Sequence, residues 1–150
     1  MGSILQCIGT LIREFDIDDL RPMVCIDRDA FKDPWDERDF IKRLKRQQII
    51  ATVIERKGAI LGYCLYEQFS GYNLIRRMAV YVKHCGYGRQ LLNDVKRQSI
   101  KNSKTFLDCR VPEENLEAQL FLAANGFTAI DVIPTDEGSQ YLFRHLRGQR

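Results

Sequence analysis

The stretch MAVYVKHCGYGRQLL, residues 78–92, decides how this chain is read. A short apolar run, Met78-Ala79-Val80, leads through polar residues into Gly86-Tyr87-Gly88 and then into a leucine pair, Leu91 and Leu92. A strand that passes through a glycine turn into a helix leaves several backbone N–H groups unpaired at the positive end of the helix dipole. Such an end attracts an anion, phosphate above all. Glycine suits the turn because a Cβ would block close approach or forbid a left-handed backbone. Neither standard phosphate motif is present: there is no GxxxxGK[ST], and no GxGxxG followed by an acidic residue. Taken alone, the segment leaves a simple tight turn open as the alternative, so its neighbours must decide.

Upstream of this segment, Leu74 to Val82, Ala59 to Glu67 and Ile50 to Glu55 alternate as strands. They are separated by Ser70-Gly71-Tyr72-Asn73 and Arg56-Lys57-Gly58, which predicts an antiparallel meander. Earlier still, Phe40, Ile41 and Leu44 mark a helix with Asp33 as the expected cap and Pro34 at its first position. Leu20, Val24 and Phe31 mark another helix starting near Asp16 and Asp19, and Leu11 to Phe15 reads as the first strand. Downstream, Leu91, Leu92, Val95 and Ser99 share a helix face, and Lys104 to Val111 is a strand. Leu116, Leu120 and Ala123 give a helix over 115–125 that Gly126 ends. Phe127 to Ile133 and Gln140 to Leu146 complete the strands. The order βααβββαβαββ predicts one α/β (α+β) domain over residues 1–150: a mixed, mostly antiparallel sheet with helices on both faces.

The 150 residues are 45% hydrophobic and 29% charged, a globular rather than a disordered composition. No apolar run reaches the roughly 18 residues of a membrane span. The start, Met1-Gly2-Ser3, is not a signal peptide, and Gln6 stands where a myristoylation signal requires Ser or Thr. The expectation is a cytoplasmic protein without membrane contact. A net charge of +3 permits an anionic ligand without pointing to nucleic acid. The densest basic stretch, Lys42 to Arg46, reads as a solvated helix face. Cysteines 7, 25, 64, 85 and 109 are scattered without a CxxC pair, so four of the five read as small buried hydrophobes.

Three segments taken in order carry a resemblance: DRDAFKDPWDERDFIKRL at 27–44, the strand–loop–helix at 78–92, and NLEAQLFLAANGF at 115–127. Together they resemble the GNAT superfamily of acyl-CoA-dependent N-acetyltransferases across about residues 11–146, and within it the bacterial branch that acetylates ribosomal-protein N-termini. The resemblance implies a sheet that splays open beside Met78, Ala79 and Val80, where the pantetheine arm of acetyl-CoA pairs with the strand. It maps the family's pyrophosphate loop, (Q/R)xxGx(G/A), onto Lys83-His84-Cys85-Gly86-Tyr87-Gly88, with Arg89 and Gln90 opening the helix behind it. It places Asn115 near the cofactor thiol. The implied acceptor is a protein or peptide N-terminus or a small amine, and the implied assembly is a monomer or homodimer.

The chain also departs from the family pattern. Typical members have eight residues from the strand's final Val to the first glycine of the pair, whereas Val80 to Gly86 is six, so either the turn is shorter or the register differs. The family's tyrosine on the helix after Asn, the proton donor to the leaving thiolate, aligns with Leu122. The glutamate base of the ribosomal branch aligns with Arg110, while Asp108, two residues earlier, is either a displaced base or a solvent-facing strand residue. Glu113 and Glu114 read as first-turn dipole partners and Trp35 as a staple on the early helices, bordering the acceptor groove by resemblance. Cys85, near a helix N-terminus, has the setting that lowers a thiol pKa.

An acetyltransferase lacking both proton carriers is still chemically feasible. At pH 7 a peptide α-amine lies only about one unit below its pKa, near 1 kcal/mol, whereas a lysine lies about 3.4 units below, near 4.6 kcal/mol. Orientation of the reactants contributes about 7–11 kcal/mol, against a factor of about 10²–10⁴ in rate from a general acid or base. The sequence therefore supports direct transfer to an α-amine. It leaves open an alternative, a weak or inactive GNAT-fold module that binds acyl-CoA as a sensor or interaction domain.

Overall fold

The computed structural model describes residues 9–149, and the readings of Met1-Gly2-Ser3 and Cys7 fall outside them. Its strands are β1 (Thr10–Glu14), β2 (Ile49–Arg56), β3 (Ala59–Gln68), β4 (Tyr72–Val80), β5 (Phe106–Pro112), β6 (Thr128–Thr135) and β7 (Gly138–Leu146). Its helices are α1 (Leu20–Ala30), α2 (Glu37–Leu44), α3 (Tyr87–Lys101) and α4 (Leu116–Ala124), with a 3-10 turn, Ile17–Asp19, leading into α1. The strands form one seven-stranded sheet in the order β1-β2-β3-β4-β5-β7-β6. Every neighbouring pair is antiparallel except β4 and β5. The expected element order and mixed sheet are both present.

Reciprocal caps set where the early helices begin. The Asp16 carboxylate accepts from the Asp18 N–H at 3.0 Å, and the Asp19 carboxylate accepts from the Asp16 N–H at 2.7 Å. The next helix is not capped by Asp33 as expected. Asp36 accepts from the Asp39 N–H at 2.8 Å and Asp39 accepts from the Asp36 N–H at 3.1 Å. The box reads D-x-x-D, with aspartate where glutamate is usual, so it satisfies two orphan donors and moves the start past Pro34. At the end of α4 the Phe127 N–H bonds the Leu122 carbonyl at 3.0 Å and the Gly126 N–H bonds the Ala123 carbonyl at 3.2 Å. With Gly126 at φ 88° this is the Schellman closure that the terminal glycine implied.

Each sheet face carries a core. On one, Met23, Ile26 and Phe40 of α1 and α2 pack on Val53, Tyr63, Leu65 and Ala79. On the other, Leu91, Leu92 and Val95 of α3, with Leu122 of α4, pack on Ile54, Cys64, Ile75, Val111, Phe127 and Phe143. Two expectations change. Leu116 and Leu120 are 62% and 61% exposed, and α4 turns Ala118, Phe121 and Leu122 inward instead. Cys25 is exposed because α1 presents Leu20, Met23 and Ile26 to the sheet and leaves position 25 outside, whereas Cys64 is fully buried.

Candidate active site: an opened strand edge feeding a helix

The decisive geometry lies between β4 and β5. Their parallel pairing holds only from Tyr72↔Phe106 to Ile75↔Cys109. Beyond that, β5 stays with β7 as far as Pro112 and β4 stays with β3 as far as Val80, so the two strands part. A register shift between Leu65 and Tyr66 leaves Arg76 as an extra residue on β4, and such a bulge bends and twists its strand. The Tyr81 N–H donates to the Leu61 carbonyl of β3 at 2.7 Å. Two-residue alternation then turns the backbone groups of Met78 and Val80 to the open edge and those of Ala79 to β3. Of the three expected strand residues, Ala79 therefore offers no backbone to the gap, and its side chain belongs to the α1/α2 core.

β4 stops at Val80, two residues before the expected end, and Tyr81 and Val82 are exposed. The chain then turns through left-handed positions at His84, φ 63°, and Gly86, φ 84°. Gly86 is the N-cap of α3 and no side chain caps the first turn. The first intrahelical bond from this end runs from the Gln90 N–H to the Gly86 carbonyl at 3.1 Å. The amides of Tyr87, Gly88 and Arg89 thus lie at the positive end of the dipole. The Tyr87 ring is buried in the core, so this residue can serve only through its backbone. Lys83 pairs with Glu117 of α4 at 2.9 Å, and that hydrogen bond holds the Glu117 carboxyl below its usual range. Cys85 is half-buried against the core, while Arg89 is exposed. The Gln90 carbonyl oxygen accepts from Thr10 Oγ1 at 2.8 Å, which carries its side chain toward β1.

Solved structures with this architecture include N-acetyltransferases. The ribosomal-protein-S18-alanine N-acetyltransferase of Escherichia coli superposes with a TM-score of 0.80 at 19% identity, covering 91% of this chain and 93% of that one. Ard1 of Thermoplasma volcanium gives 0.81 at 18% identity, covering 93% and 98%. The protein yncA of Salmonella typhimurium, solved with its cofactor acetyl-CoA, gives 0.74 at 16% identity, covering 92% and 94%. No family model and no curated protein matches the sequence. The chain has the GNAT fold.

Within this GNAT fold the remaining expected residues take up different positions. Asn115 is the N-cap of α4, its side-chain oxygen accepting from the Ala118 N–H at 3.2 Å. Leu122 is buried, 3% exposed, in the cluster with Val111, Phe127 and Phe143. Its neighbour Phe121 reaches the first turn of α3: a Cβ built on Gly88 would lie 3.3 Å from Phe121 Cζ. The spacing 118, 121, 122 on α4 would have flagged Phe121, had Leu116 and Leu120 not drawn attention to the opposite face. Asp108 is neither solvent-facing nor a free base. It is buried and held by both Arg144 Nε and Nη2, at 2.8 and 2.9 Å. Arg144 comes directly opposite it on β7, so the register dictates the pair.

On the α1/α2 face, Asp27 is wholly buried. It accepts from Arg77 at 2.7 and 2.8 Å, from the Trp35 N–H at 2.6 Å and from the Tyr63 hydroxyl. Burial, and then Asp27, push the Tyr63 phenol far above its ordinary value. Trp35 meets Phe40 edge-on at 5.2 Å and carries the guanidinium groups of Arg43 and Arg77 at 3.9 and 4.2 Å. The staple reading of Trp35 is thereby extended to an anchor for two arginines. Glu67 and Arg76, which periodicity alone did not single out, meet where β4 leaves β5: Arg76 Nη2 lies 2.7 Å from Glu67.

Proposed function

We propose that the chain is an acyl-CoA-dependent N-acetyltransferase with acetyl-CoA as cosubstrate and an amine as acceptor, a protein or peptide α-amine first among the candidates. The observation that carries this reading is the β4 edge, unpaired beyond Ile75 and running directly into the uncapped first turn of α3. The residues fit the cofactor. Met78 and Val80 offer backbone groups to its extended arm, and the amides of Tyr87, Gly88 and Arg89 offer donors to its pyrophosphate. The spacing problem also has a solution. Eight residues beyond Val80 stands Gly88, not Gly86, so the family loop keeps its length if Cys85, Gly88 and Gln90 occupy the motif positions. Gln90 is tolerated where the family has Gly or Ala because its side chain is drawn away to Thr10.

Acetyl-CoA supplies an activated acyl group, and the chain's own residues hold and orient it. Among the candidate bases, Asp108 is committed to Arg144, so the reading assigns it no proton transfer. The acceptor must arrive neutral, which favours an α-amine over lysine. Asn115 acts through the start of α4, and Lys83 through its pair with Glu117, by holding the loop against that helix. The sensor reading retains one supporting observation: Leu122, at the family's tyrosine position, is enclosed in apolar packing with no donor to offer. Thiol release from acetyl-CoA in the presence of N-terminal peptides separates the two. The transferase reading expects turnover that rises between about pH 7 and 9 with deprotonation of the α-amine. Acetyl-CoA binding without turnover on any amine would overturn it in favour of the sensor.

A further inference from the structure

A cavity of about 340 Å³ opens on the α1/α2 face, lined by Trp35, Arg43, Arg46, Ile49, Leu65 and Arg76. Its size falls within the range of small-ligand sites, about 300–1,000 Å³. Its position follows from the strand geometry. Arg76 is at once a wall of this cavity, the bulged residue of β4 and the first β4 residue beyond the last pair with β5. The cavity therefore abuts the apex of the splay from the face opposite α3.

Every charged side chain lining the cavity is an arginine. Behind them, buried Glu67 takes Arg46 Nη2 at 3.0 Å on one oxygen and Arg76 Nε at 2.8 Å on the other. Arg43 donates from Nη1 to the Asp39 carbonyl at 3.1 Å, with the Asp39 carboxylate 4.0 Å away, and its guanidinium lies over Trp35. Three guanidiniums thus face two carboxylates, leaving one positive charge, and the neighbouring Arg77–Asp27 pair is neutral. Each guanidinium has five N–H donors in a planar fork suited to a carboxylate, more than these bonds use. Lys42 to Arg46 was expected to be a solvated face, yet it sends Arg43 and Arg46 into this site.

We propose that this cavity is the acceptor site and that it selects amines carrying a carboxylate on the same molecule. The proposal rests on the N-acetyltransferase reading. The neutral amine nitrogen attacks the thioester carbonyl, the C–N bond forms as the C–S bond breaks, the thiolate leaves with the electron pair, and the nitrogen's surplus proton passes to water. Arg43, Arg46 and Arg76 hold the carboxylate, and Trp35 gives the intervening chain a flat apolar wall. The carboxylate comes either from an acidic residue close behind a peptide N-terminus or from a free amino acid. A polycationic amine is repelled.

The test is calorimetric titration of three tripeptide amides, Ala-Glu-Ala, Ala-Gln-Ala and Ala-Lys-Ala, alongside free glutamate and spermidine, followed by thiol release with the same amines. The expected result is at least about tenfold tighter binding of the Glu peptide than the Gln peptide, of the size of one charge-assisted bond. Lys peptide and spermidine should bind weakest, and glutamate against the Glu peptide tells the two carboxylate sources apart. Arg43→Gln, chosen because Arg46 or Arg76 would abandon Glu67, should collapse the Glu:Gln ratio to about two- to threefold. Acetyl-CoA titration checks that the variant is folded. Equal affinities, or a preference for spermidine, overturns the proposal while turnover leaves the transferase reading standing. Carboxylate-selective binding without turnover on any of these amines leaves a carboxylate-binding cavity but overturns its role as an acceptor site, together with the transferase reading.

Discussion

Replacing Gly88 by valine tests how α3 sits against α4. A Cβ at this position would lie 3.3 and 3.5 Å from the Phe121 ring and 3.8 Å from a Val80 methyl group. The two branching methyl groups of valine would push further into the same space. Overpacking of this kind costs about 1–3 kcal/mol, offset by about 0.5 kcal/mol because valine is a better helix former than glycine. The expected net loss is about 1–2 kcal/mol, or about 2–8 °C in Tm at this chain length. A side chain at this position also stands where the turn approaches an anion, so the variant perturbs packing and binding together. Because the obstacle is a ring tip, Phe121→Leu should relieve it. The double variant should be more stable than the sum of the single effects by at least about 1 kcal/mol, read by urea denaturation of all four proteins. Additivity within about 0.5 kcal/mol would refute the contact between Gly88 and Phe121.

Arg77→Met should cost about 3–5 kcal/mol in urea denaturation, because it leaves the wholly buried Asp27 without its cation; adding Asp27→Leu should recover part of the loss. A single variant indistinguishable from wild type would contradict the buried pair. Arg13 donates to Asp19 at 2.8 and 2.9 Å and holds that carboxyl below its usual 3.8. A depressed folded pKa contributes stability that is present above the unfolded value and lost as pH falls through the folded one. Arg13→Gln should therefore be less stable than wild type at about pH 6, with the gap closing in acid below about pH 4. A gap that widened in acid would reverse the assigned sign. A thiol reagent on the native protein, with sites mapped by mass spectrometry, should label Cys25 and spare Cys64 and Cys109. Burial pushes the Cys109 thiol up to about 12. Rapid labelling of Cys64 in the native state would contradict the core as described.

The periodicities that could be read were those tied to local chemistry. Alternation from Ile50 to Val80 and the terminal glycine at 126 located the meander and the end of α4 within a residue or two. Where two local signals competed, the reading went wrong. Asp33-Pro34 looked like a helix start, but the reciprocal Asp36–Asp39 box lies three residues on and satisfies more donors. On α4 the larger leucines at 116 and 120 outweighed the smaller inward set, because a nine-residue helix offers too few turns to separate the faces. Long-range partners left no trace in spacing. Nothing near Asp108 announces Arg144, which is 36 residues away, and nothing in Lys42 to Arg46 announces Glu67. The bulge at Arg76 comes from the register between β3 and β4, a property of the pair rather than of either strand.

The central claim is that the opened β4 edge and the α3 start together hold acetyl-CoA. Calorimetric titration of acetyl-CoA into the wild type and into Gly86→Val tests it most directly. Gly86 sits at φ 84°, a conformation valine resists, and a Cβ-bearing residue there turns the following amides away from their common focus. The account predicts binding with a Kd in the micromolar range, about −8 kcal/mol, for the wild type, and affinity at least about a hundredfold weaker in a variant whose circular dichroism shows it folded. Unchanged affinity in that variant, or no binding of acetyl-CoA by the wild type, would contradict it.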